Sequence, residues 1–286
     1  MPDLSWLYDL LAQALPLPSL QARFMQQALL ALLLLAPMTA VMGIIVVNFR
    51  MAFYAEAISH SAFTGVALGM LLAISPDWTM PLFGLAVGLG ITAAQRHSDL
   101  AGDTVIGVFF SAMIAFGLAM VSRDRSLARD MQRFLYGDIL TISENEIWAL
   151  FLLLILVMIF LACAYNRLLY VGINSTLART HRVRVPPLQY AFSGLLALLV
   201  MFAVQAIGVL LVTALLVVPA ASARNFSRSA GAMFWWALLI SISSAILGLI
   251  VSAQDWARTA TGATIILFTC AWFACSLFLN RMRRNR

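Results

Sequence analysis

"ALLALLLLAPMTAVMGIIVV", from Ala28 to Val47, contains no charged residue. About 20 apolar residues in a helix are enough to cross the hydrocarbon core of a bilayer, which is about 30 Å thick. Further apolar segments follow along the whole chain, so the sequence predicts an all-α, polytopic membrane protein with eight or nine transmembrane helices. The predicted segments are 24–47, 56–74, 80–95, 104–121, 146–165, 188–205, 207–223, 231–251 and 261–280.

The composition leaves no room for a soluble domain. Of the 286 residues, 63% are hydrophobic and 10% are charged, whereas about 25% of residues are charged in soluble domains. We therefore predict one transmembrane domain over residues 1–286. Within it, residues 1–23 are expected to form an amphipathic segment on the membrane surface or a hydrophobic tail, residues 166–187 a cytoplasmic loop, and residues 281–286 a basic tail.

The basic residues are all arginines, and the net charge is +6. The absence of lysine excludes a Walker A nucleotide-binding loop, which needs its lysine on the phosphates. The loop 166–187 and the tail 281–286 contain arginines and no acid, which places both in the cytoplasm by the positive-inside rule. An even number of segments separates them, and the loop 122–145, with charges of both signs, then lies outside. With nine spans, the N-terminus is also outside.

The three cysteines, Cys163, Cys270 and Cys275, all lie within apolar segments. Their spacing is not that of paired thiolate ligands in a zinc site. Unpaired cysteines in apolar surroundings behave as small hydrophobic residues. We predict that they pack in the protein interior.

An acid and an imidazole, Glu56 and His60, stand four residues apart in the second segment. On a helix they project from the same face, one turn apart, and an ionisable group inside a membrane marks an ion or substrate route by default. A carboxylate and an imidazole suit cations such as Zn²⁺ and Mn²⁺, although two ligands are too few for a closed structural site. The pair is typical of a transit site; alternatively, Glu56 stabilises the helix N-terminus and His60 bonds a carbonyl. Gly65 and Gly69 lie on the opposite face, where we expect close helix packing.

A second polar group, His97, Asp99 and Asp103, follows the third segment. It is either an exit site for an ion or a polar turn in which Asp99 or Asp103 caps the next helix. Three classes of function fit these features: an ATP-driven transporter, a secondary transporter or channel for metal cations, and a membrane enzyme. Almost no acid other than Glu56 lies inside the apolar segments to carry coupling protons, which counts against a secondary transporter. The chain also has no H-E-x-x-H motif, which counts against a membrane metalloprotease.

Four blocks of the chain resemble permease subunits of zinc/manganese-type ABC importers. They are "RMAFYAEAISHSAFTGVALG" (50–69), "AGDTVIGVFFSAMIAFGLAM" (101–120), "RFLYGDILTIS" (133–143) and "IGVLLVTALLVVPAASAR" (207–224). The blocks occur in the order of the family, and the resemblance covers nearly the whole chain. The family's intramembrane aspartate and histidine correspond to Glu56 and His60, so the carboxylate here is one methylene longer.

The resemblance implies a type II permease, like that of the vitamin B12 importers, working as a homodimer in the bacterial inner membrane. It implies two cytoplasmic ATPase subunits that bind the ATP, a periplasmic or surface-anchored metal-binding protein, and no partner nucleic acid. No permanently bound cofactor is expected, and the cargo is Zn(II) or Mn(II), with zinc favoured. The segment Asn174–Val185 corresponds to the ATPase-coupling helix. Leu177 and Ala178 are expected to enter the ATPase, and Arg179 and Arg182 to steer it or meet anionic lipid.

Overall fold

The fold is seen in a computed structural model, which describes residues 7–8, 22–122, 139–174, 178, 180–181, 183–257 and 259–284. Over these residues the chain forms nine long helices and one short 3-10 turn, and contains no strand. The helices are α1 (Arg23–Asn48), α2 (Ala52–Leu71), α3 (Pro76–His97), α4 (Gly102–Val121), α5 (Glu144–Ile173), α6 (Val185–Ile207), α7 (Val209–Phe226), α8 (Ala230–Ser252) and α9 (Thr261–Arg284). Each predicted segment corresponds to one of these helices, which confirms the all-α prediction.

Eight of the described helices are long and apolar enough to cross a membrane. The ninth is α2, whose polar residues include Glu56 and His60. The count of eight or nine spans is therefore confirmed, and the helix with the two ionisable groups accounts for the difference. The largest boundary error concerns α5, which was predicted to end at residue 165 and continues to Ile173. Arg167 is the only charge in this extension, and one arginine at a membrane boundary does not end a helix.

A single residue, Gly208, separates α6 from α7. Its φ of 82° and ψ of 162° lie in a region that glycine enters without steric cost. This conformation interrupts the helix in the motif "AIG" (206–208), where the predicted segments 188–205 and 207–223 meet. The two helices that result are each long enough to span the membrane.

The helix ends fall into two groups. The end of α1, the turn between α3 and α4, and the end of α5 surround one cavity. Residues 139–140, the turn between α6 and α7, and the segment before α9 surround another. Successive helices therefore alternate in direction. The segment between α5 and α6 and the end of α9 share one face, and residues 139–140 lie on the other, in agreement with the predicted topology.

Packing is densest around α1 and α6. In the most apolar stretch of each helix, 83% of the residues of α1 and 72% of those of α6 are buried, against 17% for α4 and 22% for α9. Helices α3 and α4 pack on α2, while α7, α8 and α9 pack on one another, and α7 also contacts α2. Gly43 of α1 lies against the backbone carbonyl of Leu216 of α7, an approach that a larger residue would prevent.

The prediction for the cysteines is wrong, because Cys163, Cys270 and Cys275 are all exposed on the surface of this chain. They occupy outward faces of α5 and α9. The prediction failed because apolar residues in a membrane helix face lipid as readily as they face the protein interior. An apolar segment therefore does not identify its buried side.

Candidate metal-transit site

The acid and the imidazole of α2 meet as the helical spacing predicts. Nε2 of His60 lies 3.2 Å from Oε1 of Glu56, and the side chains are 21% and 32% exposed, respectively. Neither side chain is fully buried. The alternative in which His60 bonds a backbone carbonyl is not what the structure has, since the imidazole nitrogen contacts the carboxylate instead.

Two phenylalanines hold the imidazole of His60. The ring of Phe110, from α4, meets it edge to face with a centroid distance of 5.1 Å and an angle of 88°. Phe63, one turn along α2, makes a second edge contact at 5.8 Å. These contacts restrict rotation of the imidazole and keep its Nε2 beside Glu56.

Glu56 lines an open cleft of about 750 Å³ between α2, α4 and α7. The wall from α4 includes Asp103, Gly107 and Phe110, and the wall from α7 includes Thr213. Most of the other lining residues are apolar. At Gly107 an added methyl group would meet no atom within 4 Å, so the cleft is open at this point of α4.

The opposite face of α2 is packed against α3 and α6. A methyl group built on Gly65 would lie 2.9 Å from the Cα of Met80, and one built on Gly69 would collide with the side chain of Thr79. The prediction that these two glycines allow close packing behind the Glu–His face is confirmed. The packed face fixes the rotation of α2 and so directs Glu56 toward the cleft.

Tyr54 holds α2 in place behind the site, a contact that the sequence reasoning missed. It is fully buried, and its hydroxyl donates a hydrogen bond of 3.0 Å to the carbonyl of Ser193 in α6. Thr64 makes a comparable link by donating to the carbonyl of Met113 in α4. The available signal was a tyrosine two residues before an intramembrane acid, which places its hydroxyl on the packed side of the same helix.

The second polar group does not converge. His97, Asp99 and Asp103 are all exposed, and Nδ1 of His97 donates to the carbonyl of Ala93 at 2.8 Å. Neither aspartate caps α4, whose N-cap residue is Ala101 and has no side-chain cap. Within the described ranges there is no group of three His, Cys, Asp or Glu side chains that could hold a metal. Of the three, Asp103 lines the cleft beside Glu56.

The segment predicted to couple to an ATPase lies between α5 and α6. Leu177, Arg179 and Arg182 fall outside the described residues. Ala178 is fully buried in a small cluster with Val171 of α5 and Val185 of α6. In contrast to the expectation for Ala178, its methyl group therefore packs inside the subunit and does not point outward into a partner.

The chain is similar over most of its length to known membrane transport proteins. Residues 21–280 match the family model of the ABC 3 transport family. The chain is 30% identical over 251 residues to the high-affinity zinc uptake system membrane protein ZnuB of Haemophilus influenzae, covering 88% of this chain and 95% of the relative. It is also 30% identical over 259 residues to the manganese transport system membrane protein MntC of Listeria innocua, covering 89% and 92%.

Among solved structures, PsaBC from Streptococcus pneumoniae in complex with Fab has a chain that matches with a TM-score of 0.77. The match covers 95% of this chain and 95% of that one, at 24% sequence identity, and supports the fold. The family model covers nearly the whole chain, from the first spanning helix to the last. The chain therefore belongs to the ABC 3 transport family, which confirms the resemblance drawn from its sequence motifs.

Proposed function

We propose that this chain is the permease subunit of an ATP-driven importer of divalent transition-metal ions, with zinc favoured over manganese or iron. The coarser part, a metal-ion permease of the ABC importer class, follows from its family. ATP hydrolysis takes place in the ATPase partner subunits, since this chain has no lysine and so no Walker A loop. An ATPase-independent transporter, the alternative left by the sequence, has no support from the family match.

The observation that carries the proposal is the 3.2 Å separation of Nε2 of His60 and Oε1 of Glu56, with Glu56 on the wall of an open cleft. Two ligands that each lie about 2.1 Å from a tetrahedral zinc ion are about 3.4 Å apart. A cation can therefore replace the hydrogen bond between the two side chains with a shift of a few tenths of an ångström. Imidazole favours zinc over manganese, which prefers sites made of oxygen ligands.

A pair of ligands suits passage better than storage, because an ion that is conducted must bind weakly enough to leave. We propose that a second copy of the chain encloses the cleft and supplies further ligands. The most exposed spans are α4 and α9, and α4 forms one wall of the cleft. A homodimer that packs these helices would remove their apolar surfaces from lipid and separate the cleft from the bilayer.

The cytoplasmic segment before α6 has a mechanical connection to the Glu–His helix. The cluster of Val171, Ala178 and Val185 packs against Phe49, which follows the end of α1 and lies three residues before α2. Phe49 also meets Phe192 of α6 edge to face at 5.4 Å. A movement of the ATPases that displaces this segment would reach α2 through Phe49, which is the basis we propose for alternating access across the bacterial inner membrane.

The decisive experiment is metal uptake into proteoliposomes that contain the permease with its ATPase. We expect Glu56→Gln and His60→Ala each to abolish zinc uptake while the ATPase still co-purifies with the permease. Excess manganese should inhibit uptake of labelled zinc by the native protein less than an equal excess of unlabelled zinc. Normal uptake in both variants would remove the transit site, and stronger inhibition by manganese would reverse the metal preference.

A further inference from the structure

We propose that a basic cleft at the cytoplasmic end of α5 and α6 binds the phosphate headgroup of an anionic phospholipid. The cleft has a volume of about 550 Å³ and lies away from the Glu–His site. Its lining residues come from α5, the connecting segment and the first turns of α6: Arg167, His181, Val183, Arg184, Pro187, Leu188 and Ala191. This inference does not depend on the proposed transport function.

The positive charge of the cleft is not neutralised by the described part of the chain. Arg167 and Arg184 are both exposed, and neither forms an ion pair with any described residue. Residues 166–187 contain no acid at all. Two guanidinium groups beside one cavity can each donate paired N–H groups to phosphate oxygens, a geometry that phosphate matches well.

An aromatic residue orients the third polar group of the cleft. The ring of Tyr170 stacks on the imidazole of His181, with centroids 6.1 Å apart and an angle of 22° between the planes. Stacking fixes the plane of the imidazole at the edge of the cavity, where its N–H can reach an anion. Tyrosines are also enriched at the membrane–water boundary, where the ring meets lipid and the hydroxyl meets water.

The cleft continues an exposed apolar stripe along α5. The side chains of this stripe follow one another every three or four residues, which places them on one helical face. They are Leu152, Leu156, Ile159 and Cys163, followed by Arg167 and Tyr170. A lipid whose acyl chain lies along the apolar part of the stripe has its headgroup beside Arg167. A soluble anion would gain nothing from this stripe.

The position of the cleft along the membrane normal also fits a lipid headgroup. Arg167 lies about 35 Å along the axis of α5 from Glu144, and the hydrocarbon core is about 30 Å thick. The last turns of α5 therefore extend into the polar layer of the membrane. Basic pockets between membrane helices on the cytoplasmic side are known to bind anionic headgroups. An acidic surface of an ATPase would also match the charge, but it would not explain the continuity with the apolar stripe.

The test is lipid binding to the purified full-length chain in detergent, followed by native mass spectrometry. The probes are dioleoyl phosphatidylglycerol and, as the neutral lipid with the same acyl chains, dioleoyl phosphatidylcholine. We expect the double variant Arg167→Gln/Arg184→Gln to bind phosphatidylglycerol about thirtyfold more weakly than the native chain, as two basic groups near an anionic headgroup predict. The matched control Arg228→Gln/Arg281→Gln removes two exposed arginines from the same side and should change the affinity less than about threefold.

Several results would overturn the proposal. Unchanged affinity in the double variant, an equal loss in the control, or equal binding of phosphatidylcholine would each exclude a specific headgroup site. Competition by glycerol phosphate at the concentration at which the lipid binds would indicate a site for free anions only. Lower co-purification of the ATPase with unchanged lipid affinity would assign the cleft to the ATPase. If size-exclusion chromatography finds the double variant misfolded, the single variant Arg184→Gln is compared with the native chain in the same way, because Arg184 lies outside the helices.

Discussion

Glu56 and His60 lie one turn apart on α2 with Nε2 and Oε1 3.2 Å apart, whereas His97, Asp99 and Asp103 are spread over the end of α3, a turn and the start of α4. Both groups combine imidazole with carboxylate. Only the first forms a direct contact between its acid and its imidazole. In the second, His97 bonds a carbonyl of its own helix.

The difference shows what a helix contributes to a pair of potential metal ligands. A helix with a packed rear face fixes the direction of two side chains four residues apart before any ion arrives. Side chains on three separate elements share no such constraint, and water competes for each of them. The same residue types therefore form a pair in one region and separate polar surface groups in the other.

The largest expected effect separates the two histidines. We expect His60→Ala to lower zinc uptake at least about a hundredfold. Removing a residue that only hydrogen-bonds to a metal ligand already costs about 10–100-fold in affinity or activity, and His60 is proposed to bind the metal itself. His97→Ala should leave uptake within about twofold of the native rate, since His97 is exposed and bonds only its own helix. Initial rates of labelled zinc entry into proteoliposomes provide the measurement. Similar losses in the two variants would remove the distinction.

A second pair of variants tests whether the cleft beside Glu56 is the route. Gly107 and Gly231 both have open space where a side chain would be added, and leucine is a better helix former than glycine. Gly107→Leu should narrow the cleft and lower uptake roughly tenfold, because passage depends on the width of the route. Gly231→Leu, at the start of α8, is the control. Normal uptake in Gly107→Leu would place the route elsewhere.

The helices and the Glu–His pair were predictable because both depend on local spacing along the chain. Apolar length predicts a membrane helix, and an interval of four predicts a shared face. The burial of Ala178, the exposure of Cys163 and the hydrogen bond from Tyr54 to Ser193 depend on which helices become neighbours. A membrane sequence contains little of that information, because faces toward lipid and toward protein are equally apolar.

A smaller effect separates Asp103, which lines the cleft, from Asp99, which lies in the turn before α4. Asp103 lines the cleft with Glu56 and stands in the first turn of α4, on the side predicted to be cytoplasmic, so its carboxylate should attract a cation that leaves Glu56. Asp103→Asn should reduce the rate of zinc uptake roughly threefold, as expected when one exposed charge contributes less than about 1 kcal/mol. Asp99→Asn should have no measurable effect at the same zinc concentration. Raising the ionic strength should reduce the difference between the two variants, because salt screens exposed charges.

The smallest functional effect is expected behind the site. Tyr54→Phe removes the hydrogen bond to Ser193 and keeps the ring, so the free energy of unfolding should fall by about 1 kcal/mol with little change in uptake. Tyr190→Phe keeps the ring that stacks with Arg96 and serves as the control. Thermal unfolding of the purified variants in detergent gives the comparison. A loss of uptake in Tyr54→Phe without loss of stability would instead place this hydroxyl in transport itself.

The most direct measurement is a cryo-electron microscopy map of the permease assembled with its ATPases in the presence of zinc. We expect a density peak about 2.1 Å from both Nε2 of His60 and Oε1 of Glu56, in a passage enclosed by α2, α4, α7 and a second copy of the chain. A map in which these two side chains face lipid, with no passage beside them, would contradict this expectation.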